Sequence, residues 1–255
     1  MDNIDLQKSG LPLTRPTDPN LSYRVFFSLI MRTLLFIVFG AVFVGLFSIL
    51  GSETPLKAAE KWWPFQAILA NIATYFILRS CLRKEGIPYK SMFNYQKGSQ
   101  RKYAVETLWL VLVGFVLGGV SLYVAAYLLF GTFSLPTTMF QEIPVWALVI
   151  ALILFPLTNG LVETPTYIGY ALPRLHAITG KQWLAIILAG LALAFQHVAL
   201  PLVFDIPYML WRFLSFIPLA FALGFIYMKT KRLIPIMLAH YLMDLQLVIQ
   251  LALMM

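Results

Sequence analysis

Four side chains in the C-terminal half of this sequence are of the kinds that activate water and hold the charge that follows: Glu163, His197, His240 and Asp244. A carboxylate or a neutral imidazole can take a proton from water, and an imidazole N–H can donate to a developing oxyanion. His240 and Asp244 are four residues apart, which places them on one face of a helix. Hydrolysis with Glu163 as the base is one chemistry open to such a set. A proton relay of the kind found in proton-coupled transporters is another. A third is a metal site with Glu163, His197 and His240 as ligands, since two imidazoles and one carboxylate are a legitimate catalytic set. The chain has no HExxH helix, which counts against the metal reading, and no cofactor is expected.

These residues stand out because of what surrounds them. The chain has 255 residues, 60% of them hydrophobic and only 12% charged, where a soluble domain carries about a quarter. Such a composition needs lipid as its solvent, and about 20 apolar residues carry a helix across a bilayer. Seven segments qualify: 25–50, 62–78, 103–130, 143–161, 183–204, 208–228 and 233–255. The expected fold is therefore all-α, a polytopic transmembrane bundle of about seven spans. The organisation expected is a flexible cytoplasmic tail over 1–24 and one membrane domain over 25–255. Within the latter, 25–102 holds two helices and a basic loop, and 103–255 holds the helices with the four residues. No cleavable signal is evident, because the apolar run behind the tail is too long. The lone Cys81 has no internal disulfide partner.

Fifteen of the 19 basic residues fall in alternate connections, and only Lys57 and Lys61 fall in the others. This is the positive-inside pattern, with the N-terminus inside. Basic loops beside an anionic leaflet account for the net charge of +8, so no nucleic-acid partner is expected. The partners expected are membrane lipid and a peptide or lipidated protein; the oligomeric state is not specified by the sequence.

Ionisable groups deep in a membrane are functional candidates by default. Of eleven acids only Glu163 and Asp244 are deep, and of three histidines only His197 and His240, with His176 in a solvated loop. Counted from the nearest basic boundary at ~1.5 Å per residue, Glu163 lies ~16 Å in, His197 ~24 Å, His240 ~12 Å and Asp244 ~18 Å. Residues 142–174 exceed what one span needs and contain Pro156, Gly160, Pro165 and Gly169. Pro165 should kink the helix and free the Leu161 carbonyl close to Glu163. The bland alternative is polar glue between three helices, which Asn, Gln, Ser and Thr supply at lower cost. Arg32 and Arg212 sit near span boundaries and are expected to snorkel to them.

The stretches LVETPTYIGYALPRL, LALAFQHVALPL and IPIMLAHYLMDL resemble the three motifs of the CAAX-protease and bacteriocin-processing (Abi) family, which includes the Ras-converting CAAX endopeptidases and many bacterial members. The family pattern runs EExxxR with a Gly-aromatic pair, then FxxxH, then HxxxN or HxxxD. Glu163, Gly169 and Tyr170 fall on the first motif, His197 on the second, and His240 with Asp244 on the third. The departures are Thr164 for the second Glu, Ile168 for the Arg and Leu193 for the Phe. Positions 164 and 168 have the spacing of a helical ion pair, so losing both leaves no orphaned charge. The resemblance implies a multi-pass glutamate-type protease of a bacterial plasma membrane that needs no metal. Glu163 and His197 would activate water, His240 and Asp244 would stabilise the oxyanion, and the substrate would come from the cytoplasmic side. The alternatives are an inactive member serving as a membrane partner or bacteriocin-immunity protein, and a proton-coupled transporter.

Overall fold

A computed structural model describes residues 19–93 and 95–254. Those residues form helices and connecting turns, with no strand among them. The first eighteen residues of the expected tail lie outside the described residues, and α1 begins at Leu21. The α-helices are α1 (Leu21–Ile49), the short α2 (Pro55–Glu60), α3 (Trp63–Lys84), α4 (Gln100–Gly114), α5 (Val120–Phe130) and α6 (Val145–Thr164). They continue with α7 (Leu172–Thr179), α8 (Gln182–Phe195), α9 (Ile206–Thr230) and α10 (Ile234–Leu253). A π-helical segment, Phe115–Gly119, joins α4 to α5, and another, Pro165–Ala171, joins α6 to α7. Among the described residues seven continuous helical stretches are long and apolar enough to cross a membrane, as the composition requires.

The molecule is sorted for a hydrocarbon solvent. Leu108, Trp109, Val116 and Leu128 are exposed, while Arg32, Asn71, Thr74 and Gln196 are each fully buried. A polar group facing lipid would have no partner, so polar side chains turn inward and meet one another.

The fourth span is longer than the 143–161 expected. It runs from Val145 through the π segment to Thr179. Pro165 distorts this helix without ending it. Tyr89, in the 3-10 turn Tyr89–Phe93, donates its hydroxyl to the Leu161 carbonyl at 2.8 Å, and Thr166 donates to the Val162 carbonyl at 2.7 Å. The carbonyl that the proline was expected to free thus has a partner. Burial pushes the Tyr89 phenol up, which keeps it protonated and able to donate.

Two large apolar clusters hold the bundle. One joins α1, α3, the Pro165–Ala171 segment, α7, α8, α9 and the start of α10, through Leu82, Tyr167, Tyr170, Leu172, Leu175 and Leu233 among others. The other joins α1, α3, α6 and the last turns of α10, around Phe36, Trp63 and Phe155.

Candidate active site

The three motif-bearing stretches meet around one cavity of about 240 Å³, whose wall includes Glu163, His197, His240 and Asp244. Helix α6 delivers Glu163 in its last turn, immediately before the π segment. It packs on α10, which carries His240 and Asp244. Gly160 makes that approach possible, since a Cβ there would sit 3.2 Å from the Met237 carbonyl oxygen and 3.3 Å from Cβ of Tyr241. His197 lies in the 3-10 turn Gln196–Ala199 that ends the fifth span.

Three of the four residues touch directly. Oε1 of Glu163 is 3.6 Å from Nε2 of His240, and Oδ2 of Asp244 is 3.4 Å from the same nitrogen. His240 Nδ1 meets the Thr164 hydroxyl at 2.8 Å. Since two carboxylates face Nε2, that nitrogen carries the proton and Nδ1 accepts from Thr164. Asn159 donates its amide to Asp244 Oδ2 at 2.8 Å.

His197 stands apart, and among the described residues no hydrogen bond joins it to Glu163. Its Nδ1 donates to the carbonyls of Leu193 and Ala194, at 3.0 and 3.3 Å, which leaves Nε2 as an acceptor. The ring lies flat on Phe216, with centroids 3.6 Å apart and planes 6° from parallel. Backbone and aromatic contacts therefore fix its orientation.

Neither arginine snorkels; Arg32 is fully buried and Arg212 is 5% exposed. Arg32, on α1, donates to Glu163 Oε2 at 2.9 Å and to Asn159 Oδ1 at 3.0 Å. It also donates to Gln196 Oε1 at 2.6 Å and to Asn71 Oδ1 at 2.5 Å. A boundary count missed this because α3, α6 and the Gln196 turn all present acceptors at its level. Four acceptors, one of them the countercharge of Glu163, make burial more favourable than reaching for the interface. Arg212 donates to the carbonyls of His197 and Leu200, at 3.4 and 3.2 Å, satisfying the end of the broken helix.

Thr164 and Ile168 do not face each other. Thr164 bonds to His240, whereas Ile168 is fully buried in the apolar cluster with Leu82 and Leu172. The π turns that begin at Pro165 change the register, so α-helical spacing does not apply between these positions. The guanidinium that faces Glu163 comes from α1. Gly169 sits at a close approach, where a Cβ would come within 2.8 Å of the Leu233 side chain. Tyr170 donates to Glu85 at 2.9 Å. Arg174, one of the fifteen basic residues that the sequence assigns to alternate connections, is buried and paired with the same carboxylate at 2.6 Å. His176 lies in the last turn of α7, away from the cavity wall.

Reading the sequence for acids and histidines passed over Asn159, Asn71 and Gln196 and placed Arg32 at the interface. The signal available was that all four are polar and lie inside apolar spans. Among the described residues no three His, Cys, Asp or Glu side chains converge closely enough to hold a metal ion, so the alternative ligand set Glu163, His197 and His240 is not assembled.

No curated protein and no solved structure matches this chain. Residues 144–246, the stretch that carries all four cavity residues, match the model of the family described as type II CAAX prenyl endopeptidase Rce1-like, which confirms the likeness to the CAAX proteases that the motifs convey.

Proposed function

We propose that this chain is an intramembrane endopeptidase of the glutamate type, acting on a peptide or lipidated protein tail. The observation that carries the reading is the convergence of Glu163, His197, His240 and Asp244, from three separate spans, on one apolar-walled cavity. Polar glue would bury such groups against one another and leave no space between them.

In this reading a water held between Glu163 and Nε2 of His197 attacks the scissile carbonyl carbon. Its proton passes to the Glu163 carboxylate as the new C–O bond forms. The carbonyl oxygen takes up negative charge and accepts a hydrogen bond from Nε2 of His240, which Asp244 and Thr164 orient. The long 3.4 and 3.6 Å contacts of that nitrogen to the two carboxylates leave it able to turn toward an oxyanion. Glu163 then returns the proton to the leaving nitrogen as the C–N bond breaks. Arg32 supplies the countercharge without which a buried carboxylate of this kind would be unfavourable.

The test is cleavage of prenylated and unmodified C-terminal peptides by the purified protein in detergent. Glu163→Gln and His197→Ala are expected to reduce cleavage to background while the protein stays folded. His240→Ala should cost on the order of a hundredfold, mainly in turnover, because an oxyanion contact acts on the transition state. Wild-type cleavage by Glu163→Gln would end the peptidase reading. A site close to the basic boundary suggests substrate from the cytoplasmic side; the cavity wall, which reaches Trp63, Met139, Leu200 and Gln250, favours the opposite side.

A further inference from the structure

The two ends of the bundle differ in charge and in packing. Arg83 and Lys84 end α3, Arg101 and Lys102 begin α4, Lys181 precedes α8, and Lys231 and Arg232 separate α9 from α10. At this basic end the core is closed. Tyr167, Tyr170, Leu172, Leu175 and Leu233 are each at most 1% exposed. The Tyr89–Phe93 turn folds in over them, with Met92 buried and the Tyr89 hydroxyl on the Leu161 carbonyl. The ion pairs Arg174–Glu85 and Arg232–Glu106 also lie at this end.

The cavity extends the other way. Its wall includes Trp63, the first residue of α3; Met139, between α5 and α6; Leu200, between the fifth and sixth spans; and Gln250, near the end of α10. All of these belong to the end away from the basic loops.

The packing of the third span points to a gap in the side of the cavity. Helix α4 packs on α10, whereas α5 packs on α9. The change of partner takes place at the Phe115–Gly119 π segment. Gly114 faces Met243 of α10 so closely that a Cβ would overlap its sulfur, and Gly118 faces Leu219 of α9, 3.5 Å from where its Cβ would be. Beyond this point α5 follows α9 and parts from α10. A slot remains between them, with Gly118 and Leu122 on one side and Gln246 and Gln250 on the other, and it leads to Glu163.

We propose that substrate reaches Glu163 through this slot, from the half of the membrane opposite the basic loops. With the basic loops cytoplasmic, that is the outer half, and the substrate is a peptide segment next to an apolar anchor on an exported or outer-leaflet chain. What enters depends on the peptidase reading; where the opening lies does not. The slot is apolar on its α5 side, with Gly118 and Leu122, and carries Gln246 and Gln250 on its α10 side, so an anchored chain can keep its anchor in lipid while its peptide reaches the cavity.

Cysteine labelling in sealed membrane vesicles of known orientation tests this. In a Cys81→Ser background, Gln246→Cys and Gln250→Cys mark the slot and Gln96→Cys marks the exposed basic-end loop. A membrane-impermeant charged maleimide is expected to label both slot cysteines from the outside only and Gln96→Cys from the inside only. Labelling of either slot cysteine from the Gln96 side, or protection of both from each side until the protein is denatured, would overturn the proposal. The adduct at Gln250→Cys is also expected to lower peptide cleavage at least tenfold, and unchanged cleavage after complete labelling would rule out the slot as the route. The labelling result stands whether or not any peptide is cleaved, so a failed peptidase reading and a misplaced opening give different outcomes.

Discussion

At the scale of single residues, Arg32 and Glu163 form a buried ion pair, with side chains 0% and 4% exposed. Truncating one partner of such a pair leaves an uncompensated charge and typically costs about 3–5 kcal/mol, while removing both is far milder. Arg32→Met and Glu163→Gln should therefore each lower unfolding stability in detergent, and the double variant should lose clearly less than the sum. Simple additivity would show that the two residues are not coupled. Arg32→Lys should recover some of the stability, but only part of the cleavage, because an ammonium cannot hold Glu163, Asn159, Gln196 and Asn71 in one plane. Thr164 permits a finer test. Thr164→Val removes the hydroxyl that meets His240 Nδ1 and should lower turnover several-fold, whereas Thr164→Ser should stay near wild type.

At the scale of elements, the fourth span positions Glu163 because its helix changes type at Pro165. A proline in mid-helix leaves a carbonyl short of a donor, and here the Tyr89 hydroxyl provides one. Tyr89→Phe leaves the Leu161 carbonyl without it and should cost about 1–3 kcal/mol of stability. Pro165→Ala returns a backbone N–H to the helix, so the Tyr89→Phe loss should shrink in that background. An equal loss in both backgrounds, measured by thermal or denaturant unfolding, would show that the phenol serves some other purpose. The Phe115–Gly119 segment has a comparable role in the third span, since it lets one continuous helix pack on α10 with its first half and on α9 with its second.

At the scale of the whole molecule, charge is sorted by end and polarity by depth. Basic residues gather at one end, apolar side chains cover the outside, and polar groups from different spans meet in the interior. The charge bias predicts that a reporter fused at Gln96 reads as cytoplasmic and one fused after Met255 as external. A cytoplasmic reading at both sites would break the alternation of seven spans, and an external reading at Gln96 with a cytoplasmic C-terminus would reverse the side assigned to the slot.

The sequence by itself determined the solvent, the helical class, the seven spans and the four residues that share the cavity. These were legible because they are local. In hydrocarbon each backbone amide must find its partner within its own helix, so a run such as WLVLVGFVLGGVSLYVAAYLLF announces its structure without its neighbours. The expense of deep charge likewise singles out Glu163, His197, His240 and Asp244 one residue at a time. Only the tertiary structure decided which groups face one another. Arg32 meets Glu163 across 131 positions of sequence, and its boundary position pointed toward the interface because the acceptors that hold it lie on other helices. Helical spacing suggested a pair at 164 and 168, which the π register turns toward different neighbours. The end at which the cavity opens was not legible either, because it follows from where α5 leaves α10, and that divergence depends on the packing of glycines against side chains more than a hundred residues away.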